Sequence, residues 1–121
     1  MPEQRNLRHR RERLGEAMRE EIETILEGEL GDPRIGLANV TEVQLAPDGK
    51  SAHVLVAAQG GQMEAEQTLA GLAAARGFIR RELAERLQLR RAPELFFALD
   101  KSQQYEARID QLLKRIKQPK K

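Results

Sequence analysis

Residues 69–83 read Leu-Ala-Gly-Leu-Ala-Ala-Ala-Arg-Gly-Phe-Ile-Arg-Arg-Glu-Leu, and the reading of this stretch decides the fold. Leu69, Leu72, Ala73, Ile79 and Leu83, with Leu87 beyond, recur at helical spacing and mark one apolar stripe. In an unbroken helix Arg76, seven residues after Leu69, falls near the middle of that stripe. A charge there must be buried or must snorkel. Gly77 follows at once, and glycine weakens a helix interior by roughly 1 kcal/mol relative to alanine. The simplest resolution is a kink or short turn at Ala75-Arg76-Gly77. Two helices then meet at an angle, and Arg76 swings out to solvent. The second helix opens with free N–H groups and the positive end of its dipole, beside Arg76, Arg80 and Arg81. That is a ready site for a phosphate. Geometry alone leaves this level with a plainer reading, in which Gly77 only lets helix and sheet pack closely.

The flanking segments supply a sheet. Upstream, Leu7, Leu14, Met18, Ile22, Ile25, Leu26 and Leu30 predict one long amphipathic helix over residues 7–30, ended by Gly31 and Pro33. Residues 39–57 predict a β-hairpin. Val43 and Leu45 alternate with polar neighbours, Pro47-Asp48-Gly49-Lys50 is a turn, and Ala52, Val54 and Val56 return. The second strand is apolar on both sides near its end, which suits the centre of a sheet. His53 reads as a partly buried or edge histidine, not a ligand. Gln59-Gly60-Gly61-Gln62 lacks the lysine and hydroxyl of a P-loop and reads as a connector. Helical material spans residues 63–88. Downstream, Leu95, Phe97 and Leu99 share one face of a last strand at residues 94–99, with Pro93 at its start. Phe97 reads as core, and more weakly so do Phe78 and Phe96. Asp100-Lys101-Ser102 offers an N-cap, and Tyr105, Ile109, Leu112, Leu113 and Ile116 a final amphipathic helix.

The resulting order is helix, strand, strand, kinked helix pair, strand and terminal helix. A strand–helices–strand crossover favours parallel pairing of the strands it joins. The expected fold is α+β, a three-stranded mixed sheet with helices packed on one face.

Composition narrows the chemistry. The chain has 121 residues, 40% hydrophobic and 33% charged, and no cysteine. Disulfides, thiolate zinc sites and cysteine nucleophiles are excluded, and two histidines give little basis for a metal site. The longest apolar runs are five residues, far short of the roughly 20 a spanning helix needs. No secretory signal is recognisable at the N-terminus. A net charge of +2 conceals segregation: residues 1–13 are +3, 14–75 are −8, 76–91 are +4 and 114–121 are +5. Fifteen of the 21 basic residues are arginine, whose planar fork suits phosphate. Because both ends and one interior helix share a sign, a polyanion partner is favoured over plain solvated faces. Asp32, Asp48 and Asp100 lie near turns, but no nucleophile–base pair, P-loop or metal-ligand spacing accompanies them, so no enzyme is expected.

Several segments together resemble the ribosome-binding factor A family of bacterial small-subunit assembly factors. They are Asp32-Pro33-Arg34, Val40-Thr41-Glu42-Val43, Ala75-x-Gly77-Phe78-Ile79-Arg80, Leu87-x-Leu89-Arg90, Pro93-x-Leu95-x-Phe97, Asp100-x-Ser102, Arg108-Ile109 and Leu112-Leu113. Each is weak alone; their order over about residues 5–113 is specific. Glu106 stands where the family often has glycine, which favours a more regular C-terminal helix here.

The resemblance implies a type II KH-like domain over residues 1–113, with an Ala-x-Gly kink in place of the Gly-x-x-Gly loop, and a basic tail over residues 114–121. It implies a cytoplasmic factor that binds the immature 30S subunit at 16S rRNA, near the 5′-terminal helix and the decoding region. Ribosomal proteins are further partners. The role implied is late rRNA maturation, important in the cold, with no catalysis, cofactor or metal. A monomer is expected, since no heptad seam is visible. On this reading Ala75, Arg76, Gly77, Arg80 and Arg81 grip rRNA phosphates at the kink, and Arg90 and Arg91 extend the footprint. Arg5, Arg8, Arg10, Arg11 and Arg13 add salt-sensitive affinity. The rival is a KH-like adapter for a protein or another structured RNA.

Overall fold

The computed structural model describes residues 2–28, Ile35, 38–58, 60–101 and Leu113, with side chains from Leu7 onward. Its elements are α1 (Pro2–Gly28), β1 (Ala38–Leu45), β2 (Ser51–Ala58), α2 (Gln62–Ala74), α3 (Arg76–Arg86) and β3 (Glu94–Leu99). The order is the α-β-β-α-α-β of a type II KH-like domain, and the class is α+β. The Gly31 and Pro33 cap, the Asp32-Pro33-Arg34 connector and the basic tail lie outside the described residues. So does the terminal helix, Leu113 excepted.

The strands lie in the order β1-β2-β3. β1 and β2 pair antiparallel, with Val43 opposite Val54 and Leu45 opposite Ala52. The turn between them closes as its residues dictate. Gly49 takes φ 72, where a side chain is disfavoured, and Asp48 Oδ1 accepts the Lys50 N–H at 3.0 Å. β2 and β3 pair parallel, with Ala52 opposite Leu95 and Val54 opposite Phe97, as a helical crossover requires.

Alternation puts Val40, Val43, Ala52, Val54, Val56 and Leu95 on one face of the sheet, where Met18, Ile22 and Ile25 of α1, Leu72 of α2, and Ile79 and Leu83 of α3 cover them. Helix α1 begins earlier than its apolar stripe indicates. Pro2 supplies a preset φ at its first position. The stripe engages the sheet only from Leu14 onward, and Leu7 is left 58% exposed. Close approach is made possible by Gly15, where a Cβ would lie 2.6 Å from the Val43 carbonyl oxygen. The Val40 N–H at the outer edge of β1 donates to the Glu23 carboxylate, so α1 also covers this sheet edge.

Thr41 is an extra residue in the β1 ladder, where the register shifts between Val40 and Glu42. Its hydroxyl donates to Asp100 Oδ2 at 2.6 Å and lies 3.2 Å from the Leu55 carbonyl oxygen. The bulge thereby ties β1 across β2 to the end of β3. The other face of the sheet carries no described helix. Glu42, Gln44, His53, Glu94 and Phe96 are exposed there. His53 is therefore neither buried nor on an edge: it stands on the central strand, open to solvent, with its ring 5.6 Å from that of Phe96.

Candidate functional site: the joint between α2 and α3

The break that residues 75–77 require is present and very short. Ala75 alone separates the two helices, with φ −90 and ψ 2. Its N–H is shared between the carbonyls of Gly71 at 3.0 Å and Leu72 at 3.1 Å, and its own carbonyl accepts the Ile79 N–H at 3.0 Å. One residue thus closes α2 and opens α3.

The two helix N-termini differ in how they are satisfied. At α2, Glu64 turns back and its carboxylate accepts the Gly61 N–H at 2.9 Å. At α3 no side chain caps the helix and its first turn holds no acid. No acid of its own first turn therefore neutralises its positive pole. Gly77 stands in that first turn, exposed. A Cβ built on it meets no atom of the described residues within 4 Å, so no described neighbour requires glycine. The plainer reading, close packing of helix on sheet, loses its support at this residue.

Arg76 does not swing freely into solvent as the sequence suggests. It is half-buried, with its guanidinium carbon 5.9 Å from the centre of the Phe97 ring. Its Nε is enclosed and has no hydrogen-bond partner among the described residues. The kink removes Arg76 from the apolar stripe but lays it on the rim of the core, where the aromatic face holds the cation. Phe97 is itself only half-buried, so it serves as a platform as well as a core residue.

Arg80 and Arg81 have different surroundings. Arg80 Nε donates to the Pro93 carbonyl at 3.0 Å and its Nη2 to the Ala92 carbonyl at 2.9 Å. It fastens α3 to the segment entering β3. That segment carries Arg90 and Arg91, both exposed. It leaves α3 through Gln88 at φ 53, with Leu89 N–H bonded to the Ala84 carbonyl at 2.9 Å. This is a glycine-type helix exit built without glycine, invisible in the composition of the turn. Arg81, Arg90 and Arg91 have no ion-pair partner among the described residues, whereas Arg86 pairs with Glu21 at 3.3 Å and Glu82 at 3.4 Å.

The two bonds of Arg80 hold the segment that carries Arg90 and Arg91 against α3, the helix that starts at the joint and carries Arg81. The hairpin turn lies beside the entry to β3, because the Lys50 carbonyl accepts the Glu94 N–H at 2.9 Å. Sequence reading left Lys50 as a turn residue; only the strand pairing relates it to Arg91. The N-terminal cluster lies elsewhere. Arg8 and Arg11 line a cleft of about 200 Å³ with Val43, Gln44 and Leu45 on β1, and β2 separates them from Phe97. Arg8 pairs with Glu12 at 3.4 Å, and Arg10 and Arg13 are exposed. The Arg5 side chain lies outside the described residues.

Chemically the surface offers guanidinium groups, an unneutralised helix pole and a bare backbone at Gly77. These are means of holding phosphate oxygens, not of moving protons. No helix among the described residues is long and apolar enough to cross a membrane.

Comparison with known proteins agrees with this layout. The family model described as "Ribosome-binding factor A" matches residues 10–113. The ribosome-binding factor A of Koribacter versatilis (strain Ellin345) is 63% identical over 119 residues, covering 98% of this chain and 97% of the relative. The crystal structure of ribosome-binding factor A from Thermus thermophilus superposes with a TM-score of 0.66 at 29% identity, covering 74% of this chain and 94% of that one. A homology model of Thermus thermophilus ribosome-binding factor A, fitted into the cryo-electron-microscopy map of a 30S complex of ribosome-binding factor A, superposes with a TM-score of 0.55 at 33% identity, covering 74% of this chain and 90% of that one.

Proposed function

The chain belongs to the ribosome-binding factor A family, and from that premise we propose that it is a non-catalytic assembly factor of the 30S ribosomal subunit. It binds 16S rRNA through the α2–α3 joint. The observation that carries the assignment of the surface is the N-terminus of α3, which has no side-chain cap and no acid in its first turn among the described residues, beside exposed Gly77 and exposed Arg81. A phosphate seated there is met by backbone N–H groups and the helix dipole. Arg76, kept on Phe97, presents its guanidinium from one side, and Arg81 from the next turn. Arg90 and Arg91 lengthen the track, and Arg80 contributes by holding their segment in place. Arg8, Arg10, Arg11 and Arg13, with Arg5 and the tail at residues 114–121, supply diffuse attraction that salt weakens.

The factor acts by differential affinity. It binds one conformation of the immature rRNA near the 5′-terminal helix more tightly than the others and so raises that population. When the region matures, the preferred conformation is lost and the factor leaves. Late processing of the 16S rRNA ends is the step this assists. Membership of the family implies work in the cytoplasm and a premium on the factor in the cold.

Co-sedimentation with immature 30S subunits tests the surface. Arg81→Glu together with Gly77→Glu places two carboxylates at the helix pole and is expected to abolish binding without loss of the folded state. Undiminished binding by that variant overturns the assignment. A protein-binding adapter makes the opposite prediction for salt: an apolar groove keeps its affinity between about 50 and 200 mM, where an rRNA binder loses it steeply.

A further inference from the structure

The register of β3 puts Phe96 on the sheet face turned away from the helices, not in the core. It is 44% exposed there, beside exposed His53, with ring centroids 5.6 Å apart and ring planes 30° from parallel. The two residues are partners across the parallel β2–β3 ladder, and Gln44 of β1 stands opposite His53 in the same row. We propose that His53 and Phe96 are a stacking platform for one unpaired base of the bound RNA. This deepens the function proposed above and rests on the chain binding RNA.

Three observations select a base as the occupant. The first is chemistry. Two aromatic rings held side by side on neighbouring strands, both open to solvent, offer π-faces that any unpaired base can stack on. The second is size. Three strands about 4.8 Å apart and about 20 Å long make a face on the order of 300 Å², well short of the roughly 800 Å² each partner contributes to a stable protein interface. Its apolar part is smaller still, since only half-buried Leu55 and Ala98 adjoin the rings. A second copy of the chain or an apolar helix finds too little to cover; a base does not. The third is charge. Exposed Lys50 immediately precedes β2, and exposed Arg90 and Arg91 lie on the segment entering β3 at the same end of the sheet. Phe96 is two residues into β3 from Glu94, about 7 Å along the strand. Exposed Glu42 and Glu94 on the face itself discourage a phosphate backbone from lying across it. The backbone therefore stays with the cations at the strand starts, and a base is turned onto the rings.

The test uses the full-length protein and two probes: a short single-stranded RNA of mixed sequence, and a strand of equal length and charge whose nucleotides are abasic. The RNA is expected to move the ring-proton signals of His53 and Phe96 upfield, as stacking requires, and the abasic strand is not. Phe96→Leu keeps an apolar side chain and removes the ring, so affinity for the RNA should fall by about five- to a hundredfold. Phe96→Tyr should restore it. In complexes with immature 30S subunits, a photoreactive benzophenone at position 96 should cross-link to an unpaired rRNA nucleotide. The proposal is overturned if both strands shift the ring protons alike, if Phe96→Leu binds the RNA as the parent does, if Phe96→Tyr binds as weakly as Phe96→Leu, or if the cross-link goes to a protein. In each of these cases the parent still binds RNA and the function proposed above stands; a parent that binds no RNA overturns both.

Discussion

The Arg76 guanidinium lies 5.9 Å from the centre of the Phe97 ring, so the first residue of α3 is held down on the outer strand of the sheet. A cation on an aromatic face keeps its hydrogen-bond donors available while its position is fixed. The enclosed Nε, which has no partner among the described residues, is a small cost accepted for that placement.

Arg76→Met separates the two roles of this side chain. Methionine keeps the apolar stem and removes the orphaned donor. Its melting temperature is expected to stay at or above that of the parent, while affinity for rRNA falls several-fold. Equal affinity in a binding titration would show that the guanidinium contributes only to packing.

Neighbouring arginines on α3 should respond differently. Arg80→Ala breaks two hydrogen bonds from a charged group to the carbonyls of Ala92 and Pro93, with an expected loss of about 2 kcal/mol or more in denaturant unfolding. Arg81→Ala touches no described partner and should stay within about 0.5 kcal/mol of the parent, yet weaken rRNA binding.

Gly77→Ala is expected to set stability against function. Nothing among the described residues lies within 4 Å of the added methyl, so thermal unfolding should show a gain of about 0.5–1 kcal/mol from helix propensity. The same methyl stands where the proposed phosphate backbone approaches, and affinity should drop.

Gly15→Ala reverses that sign. Its Cβ would sit 2.6 Å from the Val43 carbonyl oxygen, forcing α1 off β1. Overpacking of this kind costs about 1–3 kcal/mol, more than the propensity gain. Denaturant titration is the check.

The periodicities of the two strands in the hairpin, of β3 and of the two helices are legible because each apolar position meets the same core. The joint is legible for a sharper reason: Arg76 and Gly77 together contradict an unbroken stripe. What the sequence conceals is pairing between distant residues. Nothing local distinguishes Arg80 from Arg81, since only the fold brings the carbonyls of Ala92 and Pro93 to one of them. The Thr41 bulge and its reach to Asp100 depend on β2 lying between, and Gln88 adopts a conformation its side chain does not advertise. Leu7 misleads in the other direction, since its helical spacing is right but no sheet lies beneath it.

The salt dependence of binding to immature 30S subunits tests the central claim most directly. Arg81→Ala, Arg90→Ala and Arg91→Ala combined remove three guanidinium groups that have no partner among the described residues. Each phosphate contact contributes about 0.7–0.9 to the slope of log affinity against log salt, so the slope should become shallower by about 2 to 3. An unchanged slope with unchanged affinity would place the rRNA contact elsewhere on the molecule and contradict the account.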